Sequence, residues 1–463
     1  MEHAISKSDR FDVAVIGAGV VGCAVARRLA LGGARVLLLE KAADILAGAS
    51  KANSAILHTG FDAPPGSLEL HCMQRGYDEY MRIRAAMNLP VLETGAMVVA
   101  WSAEEAAKLD SLERKARDNG VDDVSQLSGD DVRRREPHLA PTHGALLVPR
   151  EVIIDPWSPF LGYVTQVLAL GGQVMRNAEV TAGSFDGVAW TLTTPQGQFS
   201  ATRVVNCAGL FGDVIEQRLL GEASFEIRPR KGQFVVFDKA ASRLLKTIIL
   251  PVPTERTKGV VLCRTIFGNV LVGPTAEEQV DRNVASVTHA ELQALVARAG
   301  DMLPALRGMP VTAVYAGLRP ASEQPHYRIA NHPERNFLSV GGIRSTGMTA
   351  ALGIALHVGE LLGAEGAASP GIALPAVRMP NLAEHLPRDW QSAGYDEIVC
   401  HCEMVTRREI EAALAGPLPP GDPGGLKRRT RCSMGRCQGF NCLGRLTELT
   451  TGRLPAHLSA TAL

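Results

Sequence analysis

The sequence predicts an α/β protein made of a dinucleotide-binding unit, a strand-rich unit and a small helical tail. Three observations predict it. The chain opens as strand, glycine turn, helix and second strand in FDVAVIGAGVVGCAVARRLALGGARVLLLEK. Strand-like runs dominate residues 224–320, among them GQFVVFD, GVVLCRTIFGNVLVGPT and VTAVYAGLRP. Five of the nine cysteines, Cys400, Cys402, Cys432, Cys437 and Cys442, crowd into the C-terminal tail.

The first element is read from its burial pattern. DVAVIG is continuously apolar, as in a parallel strand covered on both faces. Val20 to Leu31 carries a helical apolar period, Gly32 and Gly33 end it, and Arg35 to Leu39 is the next strand. Between them Gly17, Gly19 and Gly22 form G-x-G-x-x-G. Gly17 permits the tight turn, Gly19 lets backbone approach a pyrophosphate, and Gly22 allows close helix–strand packing. Unpaired N–H groups at the helix start then face the phosphates. Glu40, followed by Lys41, closes the second strand where a carboxylate accepts hydrogen bonds from a ribose diol. The motif alone does not separate NAD from FAD.

Further along, residues 78–145 turn charged and helical, with a Ser-x-x-Asp helix start in LSGDDVRRREPHL. DPWSPFLGYVTQVLALGGQV reads as helix into strand, and RVVNCAGLFGD as a strand ending in small residues. NFLSVGGIRSTGMTAALGIALHVGELL returns to strand, glycine turn and long helix. Residues 367–394 are rich in Pro, Ala and Gly and read as a linker.

Composition narrows the function classes. At 463 residues, two or three domains are expected, and 46% hydrophobic content suffices for sizeable cores. With 48 basic and 48 acidic residues the chain offers nothing to nucleic acid or an anionic membrane surface. The N-terminus has no signal-peptide pattern and no apolar run is long enough to span a bilayer. A cytoplasmic location follows, and there clustered cysteines bind metal more often than they form disulfides.

The ordered features GAGVVG, Glu40, GASKANSAILHTGFD, VVNCAG, GLRP and GGIRSTGMT carry a resemblance. Over residues 10–365 the chain resembles the glycerol-3-phosphate dehydrogenase/D-amino-acid oxidase-like superfamily of FAD-dependent oxidoreductases. The resemblance implies a discontinuous Rossmann-like FAD-binding domain from residues 10–90, 146–223 and 323–366. It also implies an antiparallel-sheet substrate domain from residues 224–322, with a helical part at 91–145. Ser50, Lys51, Asn53 and Ser54 then lie in the loop passing the pyrophosphate and flavin, and Ala208 and Gly209 contact the flavin–adenine portion. Gly342, Ile343, Gly347, Met348 and Thr349 bring a helix N-terminus to the flavin's pyrimidine end, where its dipole favours the anionic reduced ring.

Substrate chemistry falls to three residues. Arg319 and Arg344 come from segments that this fold brings to the flavin, and a guanidinium fork suits a carboxylate or phosphate; alternatively both are structural ion-pair partners. His58 is placed near the isoalloxazine as base for an alcohol proton, or as a packing residue or flavin hydrogen-bond donor. Tyr315 and Tyr327 fall near the pocket in sequence terms without an assigned role.

The tail, residues 395–463, looks like the bacterioferritin-associated-ferredoxin-type [2Fe–2S] domain. Cys400, Cys402, Cys437 and Cys442 are the expected ligands and Cys432 is set outside them; the same thiolates also suit zinc. The nearby Lys427, Arg428, Arg429, Arg431 and Arg436 offset cluster charge, dock an acidic partner, or simply face solvent. The expectation is an FAD-dependent dehydrogenase that oxidises a small anionic secondary alcohol, such as glycerol 3-phosphate or a 2-hydroxy acid. It passes electrons through the cluster to an acceptor protein or quinone-linked chain, with other subunits or a peripheral inner-membrane position through a partner. Oxidation of an amino or imino acid C–N bond, and a non-catalytic electron-transfer subunit, are the alternatives.

Overall fold

The computed structural model describes residues 10–253, 259–363 and 375–454. The opening strand β1 (Phe11–Ile16), helix α1 (Val20–Leu31) and strand β2 (Val36–Leu39) form where the apolar pattern puts them. Beyond them, β3 (Ile56–Leu57) precedes a long helix, α2 (Leu68–Met87), whose start Ser67 caps by accepting from the Leu70 N–H. Next come β4 (Val152–Ile154), β5 (Gly197–Asn206), β6 (Arg230–Phe237), β7 (Val311–Arg319), β8 (Phe337–Gly341) and α3 (Gly347–Leu361).

Five strands make a parallel core in the order β8, β5, β1, β2 and Gln173–Met175, drawn from three separate stretches of chain. Antiparallel strands at Ala182–Phe185, Trp190–Thr194 and Arg328–His332 complete this eight-stranded sheet. α1 packs between the sheet and α3, and α3 packs on α2. A second, nine-stranded sheet carries β6, β7 and the strands at Ala96–Ala100 and Gly144–Val148. It is mixed, because Ile248–Pro251 runs parallel to Ala96–Ala100. No helix among the described residues is long and apolar enough to cross a membrane.

The tail holds α4 (Arg407–Ala415), α5 (Pro423–Thr430) and α6 (Leu443–Thr450) around a small core of Val399, Val405, Ile410, Leu426 and Leu446. A capping box of Thr406 and Glu409 starts α4. Of the stretch read as a linker, residues 367–374 lie outside the described residues, and the part from 375 onward is a packed strap. Leu382 and Ala383 are buried in the main core, and the Met379 N–H donates to the Met87 carbonyl. Pro and Gly content suggested looseness, but a few apolar side chains at the right spacing pin the segment down.

Candidate active site and cysteine cluster

The carboxyl ends of β1, β2 and β5 open onto a cleft, where ligands bind in open α/β sheets. Gly17 has φ +98, and a Cβ there would stand 2.6 Å from the Cys207 carbonyl oxygen. A Cβ at Gly22 would come 1.8 Å from the Gly17 oxygen, so its role is packing and it does not line the cleft. Helix α1 has no side-chain cap at Gly19; instead Ser50, from a distant loop, accepts from the Val20 N–H at 3.0 Å. Glu40 is nearly buried and accepts from the Ala18 and Ala42 N–H groups at 2.8 and 2.9 Å. Burial raises its pKa against those hydrogen bonds. Two of its lone-pair sites are thus taken, and others remain for a diol.

The outer part of the cleft is lined by Gly17, Gly19, Glu40, Lys41, Ser50, Lys51, Ala208 and Gly209. The inner part shares Gly19, Ser50 and Gly209 and continues past Asn53, Ser54, Gly342, Ile343, Arg344, Gly347 and Met348 to Arg319. The two parts form one trough. Glycines where side chains would clash, a bare helix start and a carboxylate at the end of β2 fit an extended dinucleotide.

Arg319 stands where β7 meets β6. Arg230 faces it in the ladder, and Gly232, opposite Gly317, leaves the room: a Cβ there would lie 2.6 Å from the guanidinium. Its donors reach only the Lys231 and Thr275 carbonyls, at 3.5 and 3.2 Å, and among the described residues it makes no ion pair. Burial, and then the like charge of Arg230, pull its pKa down to about 10. Arg344 is less free: it donates to the Pro325 carbonyl at 2.6 Å and faces Glu69 at 4.0 Å.

His58 and Thr349 are not among the residues lining either part of the trough. The His58 N–H donates to Thr349 Oγ1 at 3.0 Å, and its ring Nδ1 lies 2.6 Å from Glu151 Oε2. Glu151 is fully buried and also accepts from the Thr59 N–H and hydroxyl. Sequence reading missed this partner. The pairing follows from antiparallel register: Ile56 faces Ile153 and Leu57 faces Val152, so position 58 falls beside 151. Tyr315 donates to the Asn53 carbonyl and stacks on Phe234 at 4.8 Å, which lines the trough. Tyr327 instead bonds Thr346, which donates to Glu69.

In the tail, the sulfurs of Cys400, Cys432 and Cys442 all lie within 4.8 Å of one another. Cys402 and Cys437 form a second, more exposed pair that faces each other. The structure thus brings Cys432, which the spacing set outside the expected ligands, beside two of them. The αL turn at Arg431 and Ser433 swings it inward beside Cys400, which a count of spacings does not show. Hydrogen bonds from Cys432, then from the Ser433 and Glu403 N–H groups, pull the Cys400 thiol below the ordinary range against its burial. Of the five basic residues, Arg429 pairs with Asp44, Arg431 with Glu403 and Arg436 with Asp238; Arg428 is buried near Asp44. Arg428, Arg429 and Arg436 thus meet the body of the protein, whereas the Arg431–Glu403 pair lies within the tail.

The FAD dependent oxidoreductase family matches residues 12–361. A glycerol 3-phosphate dehydrogenase of Caloramator mitchellensis is 30% identical over 97% of this chain and 95% of its own length. An L-2-hydroxyglutarate dehydrogenase of Indibacter alkaliphilus is 31% identical over 58% of this chain and 68% of its own. Among solved structures, the dithionite-reduced L-alpha-glycerophosphate oxidase of Mycoplasma pneumoniae with FAD bound matches with TM-score 0.73 at 26% identity. It covers 80% of this chain and 99% of that one. The trough, its glycine cradle and these likenesses agree: the chain belongs to the FAD-dependent oxidoreductases of the glycerol-3-phosphate dehydrogenase/oxidase and D-amino-acid-oxidase-like family.

Proposed function

We propose that this chain is a dehydrogenase that oxidises a small anionic secondary alcohol, with glycerol 3-phosphate the first substrate and 2-hydroxyglutarate the second. The single observation that carries the anionic substrate is Arg319, a guanidinium at the trough with carbonyl partners and, among the described residues, no carboxylate partner. Removing a cation from water without a counter-ion is costly, and a bound phosphate or carboxylate offsets that cost with charge-assisted hydrogen bonds. The names of the relatives, glycerol 3-phosphate and L-2-hydroxyglutarate enzymes, point to the same class.

The trough residues from Glu40 to Met348 would hold FAD, whose flavin N5 would supply the hydride acceptor. The remaining work belongs to the chain. Arg319 anchors the anionic end and fixes the carbinol carbon's position. His58, although outside the trough lining, is assigned the hydroxyl proton at Nε2, since its Nδ1 is engaged by Glu151, whose buried carboxylate orients the ring. The C–H pair of electrons leaves as hydride, the O–H proton goes to His58, and the product is the ketone.

The tail's thiolates suit a [2Fe–2S] centre held by four of the five, with Cys400 and Cys442 common to both the sequence pattern and the close trio. The relative named a dehydrogenase matches along the tail as well, whereas the oxidase structure is used up by 80% of this chain. That contrast supports a tail that carries electrons onward to an acceptor. Anaerobic addition of sn-glycerol 3-phosphate, 2-hydroxyglutarate and amino acids, followed by absorbance at the flavin band and product analysis, tests the reading. Bleaching with ketone formed and no amine released supports it; bleaching by an amino acid with ammonia released contradicts it.

A further inference from the structure

The connection after β2 does two things at once. Glu40, Lys41, Ala42, Ala47 and Gly48 line the outer trough. Asp44, in their midst, turns the other way into the tail. Its carboxylate is fully buried and gripped at both oxygens by Arg429 of α5, Nη1 to Oδ2 at 2.6 Å and Nη2 to Oδ1 at 3.1 Å. Arg176 and Arg428 stand at 3.7 and 3.8 Å. The approach admits only glycine on the tail side. A Cβ at Gly421 would come 1.7 Å from the Ala43 oxygen, and one at Gly425 1.6 Å from Asp44 Oδ2.

Two residues on, Leu46 is buried with φ +62, a left-handed conformation a leucine keeps only when its surroundings impose it. Its N–H donates to the Ala18 carbonyl in the glycine turn, and the Ala18 N–H donates to Glu40. The connection is thus pinned to the glycine turn on one side and to the tail on the other.

We propose that the Asp44–Arg429 pair couples docking of the cysteine-bearing tail to retention of FAD. The inference rests on reading the trough as the cofactor's berth, and is independent of which metal the tail holds. Without Arg429, Asp44 loses both direct hydrogen bonds of its bidentate partner and keeps only the more distant Arg176 and Arg428, which leaves a buried carboxylate under-satisfied and frees the connection carrying Glu40 and Lys41 to shift. Linkage is reciprocal, so emptying the trough must loosen the tail.

The test uses the full-length holoprotein. Arg429→Met should raise the Kd for FAD, read from the fluorescence of released flavin, at least tenfold. Asp44→Asn combined with Arg429→Met should recover most of that loss, because the stranded charge is gone. Removing FAD from the wild type should speed hydrogen exchange at residues 421–431. If R429M does not fold, the double variant and the exchange experiment still decide. An R429M Kd within twofold of wild type, or exchange unaffected by FAD, overturns the coupling. Glu40→Gln separates the two ideas: weaker FAD binding in E40Q with none lost in R429M sinks the coupling alone, and no loss in either sinks the berth.

Discussion

His58 Nδ1 and Glu151 Oε2 stand 2.6 Å apart although 93 positions separate them in the chain. The contact commits Nδ1 and leaves Nε2 as the ring nitrogen that the proposed base role would use. Replacing Glu151 by Gln keeps the volume but offers an amide whose oxygen or nitrogen must fit both the ring and Thr59. We expect His58→Gln to lower kcat by about 10²- to 10⁴-fold, the usual worth of a positioned base. E151Q should lower kcat by a smaller factor, with FAD content unchanged in both. A kcat within twofold of wild type in H58Q would remove His58 from the chemistry.

Arg319→Met distinguishes an anion anchor from a structural ion pair. Losing charge-assisted hydrogen bonds worth roughly 1.5–3 kcal/mol should raise KM for the anionic substrate about ten- to a hundredfold. The melting temperature should hold or rise, because a buried cation without a counter-ion is removed. A lower melting temperature with KM unchanged would make Arg319 architectural.

The same residue gives a pH signature. Burial and Arg230 bring its pKa down to about 10, below the ordinary guanidinium value. Above that pH the folded protein has released a proton that the unfolded chain still holds, so this group's contribution to stability rises with pH there. Anion binding runs the other way, since the neutral guanidine grips no phosphate. KM for glycerol 3-phosphate should therefore climb above pH ~10 while kcat at saturation stays level, and steady-state kinetics across that limb would show it.

Much of this was legible in the sequence because local patterns fix local structure. α1 spans Val20–Leu31 where its period and glycine stop put it, and Ser128 with Asp131 forms the expected capping box. Most residues lining the trough were legible because they sit in or beside glycine-marked turns, and Glu40 because it closes the second strand. What was hidden depends on long-range register. Glu151 gains meaning only when β3 pairs with β4, Asp44 only when a helix 385 positions away docks on it, and Cys432 only once a left-handed turn brings it inward.

The cysteines admit a graded test. Cys400→Ser and Cys442→Ser should each abolish iron incorporation, since both belong to the spacing pattern and to the close trio. Cys432→Ser leaves four thiolates and should keep near-normal iron and acid-labile sulfide. Loss of iron in C432S as complete as in C400S would place Cys432 among the ligands and displace one of the more exposed pair.

The most direct measurement reduces the anaerobic enzyme with sn-glycerol 3-phosphate and records electron paramagnetic resonance alongside flavin absorbance. A bleached flavin together with the rhombic signal of a reduced [2Fe–2S] centre, with bleaching kept and the signal gone in C400S, is the predicted result. A bleached flavin with no iron–sulfur signal, and zinc in place of iron in the purified protein, would contradict the route through the tail.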